Sequence, residues 1–109
     1  MPKTREEVLR NVREFRDRLA ALYGDRLQGV YLYGSYARGD AREDSDIDIA
    51  VVLKGTVDAW EEDRVTSEIT TDLSLRQNCL LMPFFLSEQE RREGPFAVHR
   101  NIMSEGVLV

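Results

Sequence analysis

The sequence holds a single cysteine, Cys79, in 109 residues. It cannot close an intrachain disulfide, so a reducing, cytoplasmic compartment is expected. Long apolar runs are missing. No stretch nears the roughly 20 residues that a membrane helix needs, which excludes a membrane-spanning helix. From Met1 to Arg18, charges alternate with single apolar residues, unlike a signal segment. Positive charge is also short: 15 Lys and Arg stand against 20 Asp and Glu, a net charge of −5. That excludes a broad face for extended nucleic acid, which needs clustered cations to neutralise phosphates. A small anionic ligand in a local site stays open. Neither a Gly-Lys-Ser/Thr triplet nor a Gly-x-Gly-x-x-Gly run occurs, so this is neither a P-loop nor a dinucleotide fingerprint. There is no internal repeat and no low-complexity tract. The length fits one domain, residues 1–109. With 42% apolar and 32% charged residues, a compact domain with a charged exterior is expected.

What the chain does have is concentrated between Val30 and Leu53. An apolar stretch runs into Gly34-Ser35, a polar loop follows, and a second apolar stretch begins with Asp46-Ile47-Asp48. Carboxylates two residues apart on a strand point to one face. Their backbones are about 6.6 Å apart at the strand rise of about 3.3 Å per residue, so their oxygens can converge on a hard cation. Ionised carboxylates where a strand enters a core are costly without a partner. Mg²⁺, which takes carboxylates, waters and phosphates, would offset that cost. A strand cap facing water is the plainer reading of an Asp-x-Asp alone. Likewise, Gly34-Ser35 reads either as a plain strand-to-helix turn or as a place where backbone approaches a phosphate.

The flanking segments follow ordinary rules. Thr4 with Glu7 forms a capping box. It opens an amphipathic helix with Val8, Val12, Phe15, Leu19 and Leu22 on one stripe, ended by Gly24. Strands are expected at Leu27–Tyr33 and Ile47–Leu53, with a short helix from Ser35 to Arg38 between them. A helix from about Val57 to Arg76 would turn Val57, Trp60, Val65, Ile69 and Leu73 inward, which makes Trp60 a core or interface residue. Cys79–Leu86 reads as a third strand, and Pro83 makes it an edge strand or a bulged one. Ser87 with Glu90 starts a short helix stopped by Gly94-Pro95. Residues Phe96–Ser104 form another, with Phe96, Ile102 and Met103 inward, and a terminal strand follows Gly106. His99 reads as a surface or capping residue, and Cys79 as a small core residue. The order implies an α/β (α+β) fold: a small mixed β-sheet with helices packed mainly on one face.

Leu32-Tyr33-Gly34-Ser35-Tyr36-Ala37-Arg38-Gly39, then Ser45-Asp46-Ile47-Asp48-Ile49-Ala50-Val51, resembles the signature of the nucleotidyltransferase superfamily. The likeness is to its small, single-domain minimal nucleotidyltransferase branch, related in fold to DNA polymerase beta and kanamycin nucleotidyltransferase. It is sharp over residues 27–53. The resemblance implies that Gly34 and Ser35 hold the β- and γ-phosphates of a nucleoside triphosphate. It also implies that Asp46 and Asp48 are catalytic and bind two Mg²⁺ ions. Arg38 would either touch a phosphate or pair with Asp40 or Glu43.

One departure stands out. Such enzymes usually carry a third carboxylate on the next strand, which here reads Cys79-Leu80-Leu81-Met82-Pro83-Phe84-Phe85-Leu86 and holds no acid. Asp72 lies before that strand and Glu88 after it. Two functions follow from the resemblance. One is Mg²⁺-dependent transfer of a nucleoside monophosphate, AMP from ATP, to a hydroxyl acceptor. The other is a nucleotide- or partner-binding module without turnover. Larger members of the family carry a further domain that recognises the acceptor; none is expected within these 109 residues, so the acceptor would come from a partner chain or another subunit of a homo-oligomer. The resemblance points to a small all-helical HEPN-type protein, paired with this chain as toxin with antitoxin.

Overall fold

The computed structural model describes residues 2–109. Helix α1 (Arg5–Tyr23) and a 3-10 turn (Gly24–Arg26) lead into β1 (Leu27–Tyr33), followed by α2 (Ser35–Arg38) and β2 (Ile47–Leu53). Then come α3 (Ala59–Arg76), β3 (Leu81–Ser87), α4 (Glu88–Glu93), α5 (Ala97–Glu105) and β4 (Val107–Leu108). None of the helices among the described residues is long and apolar enough to cross a membrane.

The sheet is mixed, in the order β3-β2-β1-β4. β1 runs antiparallel to β2 and β4, and β3 runs parallel to β2. β3 is therefore an edge strand, as Pro83 requires. The backbone N–H of Ile47 donates to the Leu80 carbonyl, so alternation turns the backbone groups of Leu81, Pro83 and Phe85 outward. The Leu81 N–H is taken by Ser74 Oγ at 3.1 Å, and Pro83 has no N–H to offer.

Because side chains alternate, the strands sort into two faces. Val30 and Leu32 of β1, Ile47, Ile49, Val51 and Leu53 of β2, and Leu81 and Phe85 of β3 share the main core with Val8, Val12, Phe15 and Leu19 of α1 and Leu73 of α3. On the opposite face, Ala50, Val52 and Leu86 pack with Ile102 of α5, beside Tyr31, Tyr33 and Phe84. The two long helices thus cover one face, and α5 covers part of the other.

The helix termini behave as the sequence implies. Glu7 N donates to Thr4 Oγ1 and Thr4 N to Glu7 Oε1, at 3.1 and 3.2 Å. Ser87 and Glu90 make the same reciprocal pair at α4. Several inward assignments are corrected. Leu22 is 51% exposed, because the chain turns at Gly24 (φ 56) and Tyr23 packs on the core instead. On α3, Trp60 is 85% exposed and Val65 is also outside, while Glu62 and Thr66 are buried. The polar positions go inward because their partners are waiting. Glu62 accepts from Tyr23 Oη at 2.8 Å and pairs with Arg26 Nη1 at 2.9 Å, and Thr66 Oγ1 donates to the Glu62 carbonyl. A buried polar group with partners carries little penalty. At α5, Ile102 is buried but Phe96 and Met103 are exposed. His99 is buried rather than on the surface. It keeps the capping role, with Nδ1 accepting from Phe96 N at 3.2 Å, and lies against the Phe84 and Phe96 rings. Cys79 is half-buried, and burial pushes its thiol up, as in an inert core position.

Candidate functional site

The two strands that flank the polar loop bring its ends together. Tyr33, the last residue of β1, stands opposite Asp48, near the start of β2. Gly34 comes next and turns the chain at φ 79, ψ −156. A side chain there is excluded twice, by the left-handed backbone and by contact with the Asp48 carboxylate, which a Cβ would strike. Gly34 therefore lets the backbone approach Asp48 directly. Ser35 opens α2, a single turn ended by Gly39 at φ 87.

The loop between these ends is closed locally. Arg42 N donates to Ser45 Oγ at 2.7 Å, and Ser45 N donates back to the Arg42 carbonyl. Asp46 follows, exposed, and Ile47 is pinned by its bond to Leu80. Asp46 and Asp48 lie on the face opposite the main core, and Asp48 is half-buried.

A third carboxylate enters from the far end of the chain. Glu105, the last residue of α5, accepts from the Gly34 backbone N–H at 3.0 Å and from Arg38 Nη1 at 2.9 Å, both through Oε2. Its side chain is 18% exposed. Arg38 also donates from Nε to Asp40 Oδ2 at 3.2 Å. Pairing with Asp40 was one of the two roles open to this arginine. The bond to Glu105, 67 residues away in sequence, was not foreseeable from local pattern.

The electrostatics are lopsided. Burial holds the Asp48 carboxyl above the usual carboxylate range, Asp46 and Glu105 add to that, and Arg38 opposes it. Burial, Asp48 and Glu105 together push the Tyr33 phenol up to about 12. Arg38 thus pairs with Asp40 and Glu105 and lies near enough to Asp48 to oppose its repulsion from Asp46. A hard cation at Asp46 and Asp48 would remove the repulsion that disfavours Asp48 in its ionised form. Two adjoining carboxylates, completed by water and phosphate oxygens, suit a hard divalent cation.

The register also locates what is missing. Met82 of β3 lies beside Asp48, and Phe84 beside Ala50. The strand next to the aspartates therefore presents a thioether and a ring where an acid would complete a triad. Among the described residues, no three acidic, histidine or cysteine side chains gather to hold a metal. His99 and Cys79 have the separate surroundings described above. A groove of about 420 Å³ between α3 and β3, bordered by Trp60 and Phe84, shares Met82 with this region.

Comparison with known proteins gives a consistent set of likenesses. The family model for the nucleotidyltransferase domain matches residues 12–106. A Methanocaldococcus jannaschii protein named "Putative protein adenylyltransferase" is 36% identical over 96 residues, covering 87% of this chain and 90% of that one. A crystal structure of a "putative nucleotidyltransferase" from Sulfolobus solfataricus superposes with a TM-score of 0.62 at 25% identity, covering 99% of this chain and 87% of that one. The same fold, at TM-score 0.58 and 22% identity over 93% of this chain and 70% of that one, occurs in a complex of the tri-AMPylated Shewanella oneidensis HEPN toxin with its MNT antitoxin.

Proposed function

The chain belongs to the nucleotidyltransferase domain family, and on that premise we propose that it transfers AMP from ATP to a hydroxyl group of a partner protein, using Mg²⁺. The observation that carries this reading is the approach of Gly34 to the Asp48 carboxylate, with Arg38 alongside. This closeness supports a reading in which phosphate at Gly34 would adjoin a cation at Asp46 and Asp48.

In this reading Asp46 and Asp48 hold the cation, and Gly34, Ser35 and Arg38 hold the β- and γ-phosphates. Bound there, Mg²⁺ would supply charge neutralisation at the reacting phosphate and its leaving pyrophosphate. The chain's own part is positioning. The Gly34 N–H and the Ser35 hydroxyl donate to phosphate oxygens, and Arg38 adds a planar, charged donor. The rigid β1–β2 pairing keeps the anion and cation sites in fixed register. The acceptor hydroxyl comes from another protein, for which a HEPN-type toxin is the model given by the structural likeness. The single domain would then serve as the antitoxin of such a pair in the cytoplasm.

A second reading, nucleotide binding without turnover, draws on one observation: Met82 lies where an acid would complete the set beside Asp48. One experiment separates the two. The purified chain is incubated with ATP labelled at the α-phosphate, Mg²⁺ and a HEPN-type protein as candidate acceptor. The enzyme reading expects label on the partner protein, lost in Asp46→Ala and Asp48→Ala. ATP binding with no labelled acceptor would leave the binding module. Mg²⁺-dependent ATP binding unchanged in both variants would sink the metal site.

A further inference from the structure

We propose that Glu105 is a built-in occupant of the phosphate site, which the triphosphate must displace in order to bind. This rests on the placement of the β- and γ-phosphates at Gly34, Ser35 and Arg38 given above. Two of the donors assigned to phosphate are already engaged by a single carboxylate oxygen. Glu105 Oε2 takes the Gly34 N–H at 3.0 Å and Arg38 Nη1 at 2.9 Å. A carboxylate oxygen and a phosphate oxygen ask for the same thing, charged or polar N–H donors converging on one anion.

The rest of the local structure holds Glu105 in that place. It ends α5, and two residues later β4 pairs with β1 at Tyr31 and Leu32. Gly106 N is bonded to the Ile102 carbonyl, so the backbone on either side of Glu105 is anchored. Only the side chain is free to leave. Its charge also lies close enough to add to the load on Asp48 and Tyr33. An arriving triphosphate therefore meets a competitor for its donors at Gly34 and Arg38.

The competition makes the apparent affinity the intrinsic one scaled by the fraction of molecules with Glu105 withdrawn. It acts at the phosphates distal to the nucleoside, and a ligand without them escapes it. Arg38 does not stand idle meanwhile, because Asp40 holds its Nε and keeps the guanidinium near the site when Glu105 departs.

The test is calorimetric titration of ATP and AMP, each with Mg²⁺, into wild-type protein, Glu105→Gln and Glu105→Ala, with folding checked by circular dichroism. Glu105→Ala is expected to bind ATP about tenfold more tightly than wild type, the value of one charge-assisted hydrogen bond released. Glu105→Gln keeps the size and an acceptor oxygen but loses the charge, and should fall between. AMP affinity should not change in either. A helix-end residue of purely structural importance would shift both ligands alike. Unchanged or weaker ATP binding in both variants, with wild type still binding ATP, overturns the role of Glu105 and leaves the nucleotide site standing. No ATP binding by any of the folded proteins overturns the nucleotide site and this inference together.

Discussion

The two faces of β2 belong to one seven-residue strand and obey opposite rules. Ile47, Ile49, Val51 and Leu53 point to the α1 side and are fully buried among apolar neighbours. Asp48, Ala50 and Val52 point the other way, and that row grades from a carboxylate at its open end to small apolar groups under α5. The dry face holds the strand in place. The other face spends that rigidity on keeping like charges together beside one arginine. At the open end of β2, Ile47 in the core and Asp48 at the candidate site are one residue apart, while further along Ala50 and Val52 are as buried as their neighbours on the α1 side.

That separation can be broken from either side. The largest effect is expected from the dry face. Phe15→Ala removes a fully buried ring from the main core and should cost about 3–5 kcal/mol in denaturant unfolding. ATP affinity of the molecules that remain folded should be unaltered. On the other face, Asp48→Ala should lower the initial rate of AMP transfer by about 10²- to 10³-fold. Its melting temperature should hold or rise. A melting temperature that falls as far as in Phe15→Ala would show that the faces are not independent.

Met82→Asp sharpens the contrast by adding the acid that β3 lacks beside Asp48. Mg²⁺ affinity, measured by titration, is expected to rise about tenfold. No gain would mean that the new carboxylate does not reach the cation at Asp46 and Asp48.

The smallest effect concerns the resting charge. Burial, Asp46 and Glu105 hold the Asp48 carboxyl above its usual range in the fold. The folded chain therefore binds that proton more readily than the unfolded chain does. Stability from this group is greatest in acid and is lost as the pH rises through the carboxylate range. Without divalent cations, Asp48→Asn should melt slightly above wild type at neutral pH. The difference should close on acidification below the carboxylate range.

How much of this was legible follows the range of the interactions involved. The bounds of β1 and β2 and the Thr4–Glu7 capping box rest on neighbours within a few residues, and they match the expected positions. The convergence of Gly34 on Asp48 is legible only through the resemblance of the two segments to the nucleotidyltransferase signature, since each segment alone also reads as an ordinary turn or strand cap. The inward face of α3 is not. Trp60 and Val65 fit an apolar stripe, but Arg26 and Tyr23, brought in by the turn before β1, make Glu62 and Thr66 the better residues to bury. Glu105 is hidden for the same reason. Nothing within its own helix marks it, and its partners lie 71 and 67 residues away.

Pro83 has a consequence for assembly. An edge strand normally offers a row of unpaired amides that recruits further strands. Along β3 that row is spoiled, because Pro83 has no amide hydrogen and the Leu81 amide is silenced by Ser74. The sheet terminates there chemically as well as geometrically. Fibril-like stacking and strand exchange are discouraged at that margin.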